Sequence, residues 1–156
     1  MLLMVLVLIL PRTVLSQPTN HATSSLIASS ADGSILFPES LTDGDFTTSL
    51  KWDSINIGSI LQFDLGSVHD VGCIILTIDN ASGTLQPIKV YAGSSTDFTL
   101  NKPCHRGQYV TNYGVINCFA VGAQYIHVEN YGSTKMKISE MLVYSEVDAA
   151  QYYIGR

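Results

Sequence analysis

The chain has 156 residues, with 8 Lys and Arg against 13 Asp and Glu for a formal charge of −5, and only 13% of its residues are charged. That balance excludes the clustered cations a nucleic-acid backbone demands, and it disfavours an anionic membrane surface unless a local basic patch overrides the sum. With an N-terminal leader set aside, about 140 residues remain, enough for one domain with a full core.

Residues 1–10 form a continuous apolar run, followed by Pro11 and then Val14-Leu15-Ser16. The run falls short of the roughly 20 residues a bilayer span needs and fits the apolar region of a signal peptide, with Ser16 the last residue removed. Residues 1–16 are therefore expected to be a leader, the mature chain to start at Gln17 and to be secreted, and loss of Arg12 to take the charge from −5 to −6. Beyond it no window repeats apolar residues at helical spacing. Strand patterns follow one another instead. Leu61, Phe63 and Leu65 alternate with Gln62 and Asp64; residues 73–78 form a nearly continuous β-branched run, as in a central buried strand. Ile88, Val90 and Ala92 alternate with Lys89 and Tyr91. Ile126 and Val128 alternate with Tyr125, His127 and Glu129, which turns His127 towards solvent or an adjoining loop. Residues 138–144 supply the last clear strand. Gly66-Ser67, Ser82-Gly83, Gly93-Ser94-Ser95, Asn112-Tyr113-Gly114 and Asn130-Tyr131-Gly132 read as the turns between them. Short strands with regular turns predict an all-β fold, and the need to cover edges favours an antiparallel jelly-roll β-sandwich. Its expected extent is 17–146, with 147–156 a tail whose Tyr152-Tyr153 packs back or mediates association.

The chain has 3 cysteines, so a secreted fold leaves one unpaired. Cys104 and Cys118 flank a polar, glycine-containing segment that could form a loop and are the natural pair; closing a loop of that size contributes roughly 3 kcal/mol in the chain-entropy model. Cys73 lies within an apolar run and reads as a buried thiol. Asn80-Ala81-Ser82 is a glycosylation sequon at Asn80. No histidine pair has metal-ligand spacing, no Cys-x-x-Cys occurs, and His105-Arg106 reads as an exposed loop pair. No nucleophile elbow, phosphate loop or zinc-hydrolase motif is present, and Asp43 with Asp45 suits ion ligation better than glycoside cleavage, so no enzyme is expected.

Several landmarks occur in a telling order: Leu41-Thr42-Asp43-Gly44-Asp45, then Trp52 and Ser54, then Phe63-Asp64-Leu65-Gly66. Ile88 to Ser95 (IKVYAGSS), the cysteine pair, Gly122 to Val128 (GAQYIHV) and Ile138 to Tyr144 (ISEMLVY) follow. This ordered set, spanning roughly residues 24–146, resembles the F-type lectin (fucolectin) branch of the discoidin and coagulation-factor C domain superfamily. The resemblance implies a galactose-binding-domain-like β-sandwich that binds rather than catalyses. It further implies a structural calcium ion held between the early acidic loop and the last strand. Carried over position by position, Asp43 gives a carboxylate and a carbonyl, Ser40, Asp45 and Ser139 give carbonyls, Ser54 is a further ligand, and Glu140 gives a carboxylate. Such oxygen donors suit calcium.

The sugar-binding residues of the resemblance are not carried over. A fucose-binding F-type lectin has a histidine soon after the calcium loop, then Arg-x-Asp and a second basic residue. Here the first position falls near Asn56 and Ile57 and the second within 79–86, which holds no arginine; Lys89 comes next. A ligand at that end would have Lys51, Trp52, Asn56, Asp79 and Asn80 to meet it, Trp52 either stacking on a sugar or packing under the loop. The expected function is a carbohydrate-binding, lectin-like module with a degenerate fucose motif, its partners cell-surface or microbial glycans. The alternative is a discoidin-type adhesion domain reading protein or lipid surfaces through Leu50, Trp52 and Tyr113. Oligomeric state is left open.

Overall fold

The computed structural model describes residues 17–23, 25–53, 56–78, 86–110, 113–132 and 135–148, the side chains of 86, 105–110 and 113 excepted. The leader 1–16, Ser54, Asp79, Asn80 with its sequon and the tail from 149 onward lie outside them.

The strands are β1 (Ile27–Ser30), β2 (Ile35–Leu36), β3 (Leu50–Trp52), β4 (Ile60–Ile78), β5 (Gln86–Gly93), β6 (Lys102–Val110), β7 (Tyr113–Asn130) and β8 (Met136–Tyr144), with short 3₁₀ turns at Pro38–Leu41 and Phe98–Leu100. Every pairing is antiparallel, in the order β2-β3-β8-β4-β7-β5-β6, and β1 adds to β4.

Two long strands make this a sandwich. The first half of β4 pairs β1 and the second half of β7, which also pairs β5; β6 closes that layer. The second half of β4 pairs the first half of β7 and β8, and β3 and β2 extend the other layer. The crossing falls where β4 and β7 lose register between Asp64 and Cys73. Bulges of this kind bend a strand and raise its twist, so one strand can serve two sheets. Positive φ angles at Gly66, Phe119 and Gly122 mark the same bend. Here the structure departs from the sequence pattern: Gly66-Ser67 is a bulged corner inside one strand rather than a turn between two. The segment between the cysteines is likewise strand at both ends, in β6 and β7, rather than a loop.

Leu61, Phe63 and Leu65 face Ile74, Leu76 and Ile78 across a core completed by Ile88, Val90, Ile126, Val128, Ile138, Met141 and Val143. The predicted period-2 positions are thus the buried ones. Cys104 and Cys118 form a disulfide tying β6 to β7. Cys73 is free and buried on the other side of the β4 sheet, against Ile75 and Tyr144, and burial pushes its thiol pKa up.

Candidate functional site

Residues 42–49 form an irregular loop between the first 3₁₀ turn and β3. Its sharpest point is Gly44, at φ +76, where a side chain would be strained. Asp43 and Asp45 hold the bend by accepting hydrogen bonds from their own loop. Asp43 Oδ1 takes the Asp45 N–H at 2.8 Å and Oδ2 takes the Thr48 hydroxyl at 2.7 Å. Asp45 Oδ1 takes the Thr47 hydroxyl at 2.6 Å and its N–H at 2.9 Å, which lower the Asp45 carboxyl pKa. Asp45 therefore turns its carboxylate onto Thr47, leaving its carbonyl, which also accepts from Thr48.

The loop is fastened to the last strand through Glu140. On β8, Met136 and Ile138 enter the core, but so do Met141 and Val143, an odd step that breaks the alternation. The pairing shows why: Thr77 lies opposite Glu140 and Ile78 opposite Ile138, so Ser139 is an extra residue in a bulge. A bulge re-aims a side chain, and Glu140 Oε2 accepts the Gly44 N–H at 3.2 Å. Glu140 is only 3% exposed. Burial raises its pKa, opposed by the Gly44 hydrogen bond and reinforced by the negative charge of Asp43. Among the described residues this carboxylate accepts one hydrogen bond and has a second carboxylate nearby, which compensates a buried charge poorly. Ser40 and Ser139 are buried alongside. The donor set is carboxylates and oxygens of the hard type; among the described residues no group of three or more His, Cys, Asp or Glu is disposed around a metal position.

The ligand candidates separate. Trp52 is fully buried, and its ring N–H donates to the Asp32 carbonyl at 2.8 Å. Stacking on a sugar is corrected to packing under the β1–β2 loop. Leu50 is buried too, so two of the three residues offered as apolar loop tips belong to the core, and the third, Tyr113, opens strand β7 rather than sitting in a loop; among the described residues the exposed large apolar ones of this region are Leu36, Phe37, Phe46 and Ile57. Asn56 is exposed, in the turn before β4. Lys51 is exposed on β3, with its Nζ 5.5 Å over the Phe37 ring.

Sequence reasoning missed the neighbours of Lys51. Lys137 lies directly opposite it in the β3–β8 register. Phe37 is 51% exposed and adopts a left-handed conformation, φ 59 and ψ 52, immediately before Pro38. With Glu39, Asp43 and Thr47 these residues line a solvent-open cleft of about 510 Å³. The two lysines are 86 positions apart in sequence, and only the strand register brings them together.

The histidines also resolve. His127 is covered by the adjoining loop 94–101 rather than by solvent: Nδ1 meets the Asn101 amide at 3.3 Å, and Nε2 meets Gln62 Oε1 at 3.0 Å and the Thr96 carbonyl at 3.2 Å. Burial lowers its pKa, with the Thr96 carbonyl and Asp97 opposing. Asn101 also caps the loop through Ser95, and a Cβ on Gly93 would lie 2.3 Å from its Oδ1. This network anchors a loop. His21 and His69, which share no ligand spacing in sequence, stack at 4.3 Å.

No family model matches the sequence, and no curated protein does. Solved structures match the fold. The CBM32 module of AlyQ, in complex with 4,5-unsaturated mannuronic acid, superposes with a TM-score of 0.62 at 18% identity, covering 76% of this chain and 93% of its own. A CBM32 module produced by Clostridium perfringens, in complex with GlcNAc-α-1,4-galactose, gives 0.65 at 16% identity over 83% of this chain and 96% of its own. An F-lectin (fucolectin) from striped bass, Morone saxatilis, serum gives 0.64 at 15% identity over 81% of this chain and 47% of its own. The chain therefore has the F-type-lectin and discoidin-like β-sandwich fold that the ordered landmarks imply.

Proposed function

We propose that this chain is a secreted, non-enzymatic carbohydrate-binding module whose acidic loop is held to its closing strand by a structural calcium ion. The observation that carries the proposal is the clamp between Gly44 and Glu140. It joins the two stretches that a cation would bridge, where Glu140 is buried beside the negative charge of Asp43. Asp43 and Glu140 would supply carboxylates, and Ser40, Asp45 and Ser139 carbonyls; Ser54 completes the proposed set. Calcium would supply charge neutralisation and loop rigidity. The protein residues do the rest: Gly44 makes the sharp bend, Thr47 and Thr48 fix the aspartates, and the Ser139 bulge aims Glu140.

The sugar-binding reading is supported by the likeness to modules solved with sugars and by the lack of a catalytic motif. Cell-surface or microbial glycans are the partners proposed, and the absent basic triad predicts that fucose is not the preferred sugar. A glycan array at millimolar calcium checks this: selective binding to some glycans supports the proposal, and binding to none rejects it.

A further inference from the structure

We propose that the cleft between the β1–β2 loop and loop 94–101 is a saccharide site that takes one neutral sugar ring and needs no calcium. The inference rests on the carbohydrate-binding reading for its ligand class. It goes further in placing a site on the outward face of the β1–β4–β7–β5 layer, apart from the acidic loop.

Ser29 lies opposite Gln62, Gln62 opposite His127 and His127 opposite Tyr91, so four adjacent strands set these side chains in one row. Leu61, Phe63, Ile126 and Val128 on either side of it enter the core, which turns the row outward. Loop 94–101 folds over one end of the row and the β1–β2 loop borders the other. Between them lies a solvent-open cleft of about 270 Å³, lined by Ser29, Asp32, Gln62, Thr96, Phe98 and His127 among others.

The hydrogen bonds of the loop orient Gln62. Asn101 Oδ1 accepts the Ser95 N–H at 3.1 Å, and the Asn101 amide donates to the Ser95 carbonyl at 2.7 Å. That fixes the carboxamide, so its amide also donates to His127 Nδ1. The ring proton then sits on Nε2, which donates to Gln62 Oε1 and the Thr96 carbonyl. With its oxygen engaged there, Gln62 turns its NH₂ group towards Ser29, whose Oγ it meets only at 3.5 Å. A contact of that length is at the limit of a hydrogen bond, and a ligand oxygen can replace it at little cost.

Asp32 and Phe98 complete the walls. The Asp32 carbonyl accepts the Trp52 ring N–H at 2.8 Å, and its N–H donates to Ser30 Oγ at 3.1 Å. Neither bond uses the carboxylate, which can accept from sugar hydroxyls. Phe98 stands in a 3₁₀ turn capped by Asp97, whose carboxylate accepts the Thr99 N–H and hydroxyl. Its ring packs edge-on against Tyr91 at 5.3 Å. A wall held this firmly has little freedom left to lose on binding.

The lining selects the ligand. Among the described residues of the cleft there is one carboxylate and no lysine or arginine. Burial lowers the His127 pKa, so its ring is neutral at pH 7. An acidic sugar would meet Asp32 with no cation to offset it. A neutral sugar offers hydroxyl donors to Asp32, oxygens to the Gln62 amide and an apolar C–H face to Phe98. The volume lies just below the roughly 300–1,000 Å³ of drug-sized sites, which suits a single ring. None of these residues belongs to loop 42–49 or to β8, so the site works without the proposed ion.

The test is an NMR titration of the mature chain with the methyl glycosides of galactose, N-acetylglucosamine and mannose, and with galacturonate, each in calcium and in chelator. The proposal expects at least one neutral glycoside to shift the Gln62 side-chain amide and the Phe98 ring signals, equally in both buffers. Gln62→Glu keeps an acceptor for His127 and removes the NH₂ donors; Phe98→Leu keeps the apolar volume and removes the ring. Each should weaken that binding about tenfold, with melting temperatures close to the parent showing that both variants fold. Neutral binding that leaves those signals unmoved, survives both variants or disappears in chelator overturns this inference and leaves the carbohydrate-binding reading standing. Galacturonate bound here as tightly as the neutral glycosides overturns the neutral selection and with it the inference. No saccharide bound here or on a glycan array overturns both.

Discussion

The outward faces of the two layers treat polar side chains in opposite ways. On the β4–β7–β5 layer, His127 is buried under loop 94–101 with Asn101, Gln62 and the Thr96 carbonyl around it, and Tyr91 donates to the buried Glu129. On the β3–β8 layer, Lys51 opposes Lys137, and Asp43 adds its charge to that of buried Glu140. The first face satisfies its groups and uses them to hold a loop. The second brings Asp43 and Glu140 together, two like charges whose repulsion an added cation would relieve. A satisfied network explains itself by structure, whereas the paired carboxylates of Asp43 and Glu140 are where the proposed cation would lower the charge.

This contrast can be broken experimentally. The largest effect is expected at His127. His127→Ala strands Asn101 and Gln62 beneath the loop and should cost about 2–3 kcal/mol, read by denaturant unfolding; a loss under 0.5 kcal/mol would deny the network its structural role. Its pH dependence has a definite sign. The folded-state pKa of His127 is lowered by burial, as is that of His21, so the unfolded chain binds more protons below the usual histidine range. Stability from these residues is present above a pH of about 6.5 and is lost as pH falls below it; His127→Ala should flatten that acid limb.

Glu140 should behave in the reverse way. Its folded-state pKa is raised, so in metal-free protein stability falls as pH rises from the ordinary carboxylate range towards neutrality. In chelator, Glu140→Gln keeps an acceptor for Gly44 and removes the buried charge, and should stabilise by on the order of 1 kcal/mol. A Glu140→Gln variant less stable than the parent in chelator would show that the carboxylate is already well compensated. The smallest effect is expected at Lys51. Lys51→Glu sets a carboxylate opposite Lys137 but loses the attraction of Lys51 for Asp53, so the net change, measured by thermal melting, should stay within about 0.5 kcal/mol. A loss above about 1 kcal/mol would show that Lys51 holds the loop in place.

The fold was legible in the residues themselves. Leu61, Phe63 and Leu65, and Ile88, Val90 and Ala92, alternate as strands with one buried face, and they are in the core. The continuity of β4 was not legible, because a glycine and a serine make a bulged corner as readily as a turn and only the partner strand distinguishes them. The Ser139 bulge left a trace that could have been read: Ile138 and Met141 are apolar three apart on a strand, which period-2 alternation forbids. Trp52 could be read either way, since a lone tryptophan near a loop suits stacking or packing, and burial is a tertiary fact. Phe37 and Lys137 had no signal at all. A strained backbone angle and a strand register do not appear in composition or spacing.

The central claim is that the acidic loop and the closing strand share a cation. Thermal unfolding of the parent and of Glu140→Gln, each in millimolar calcium and in chelator, tests it directly. A native-state ion at a hundredfold excess over its dissociation constant adds about 2.7 kcal/mol, so calcium should raise the parent melting temperature by roughly 8 °C and leave the variant almost unmoved. Equal melting of the parent in calcium and in chelator, or an equal calcium shift in both proteins, would contradict the account.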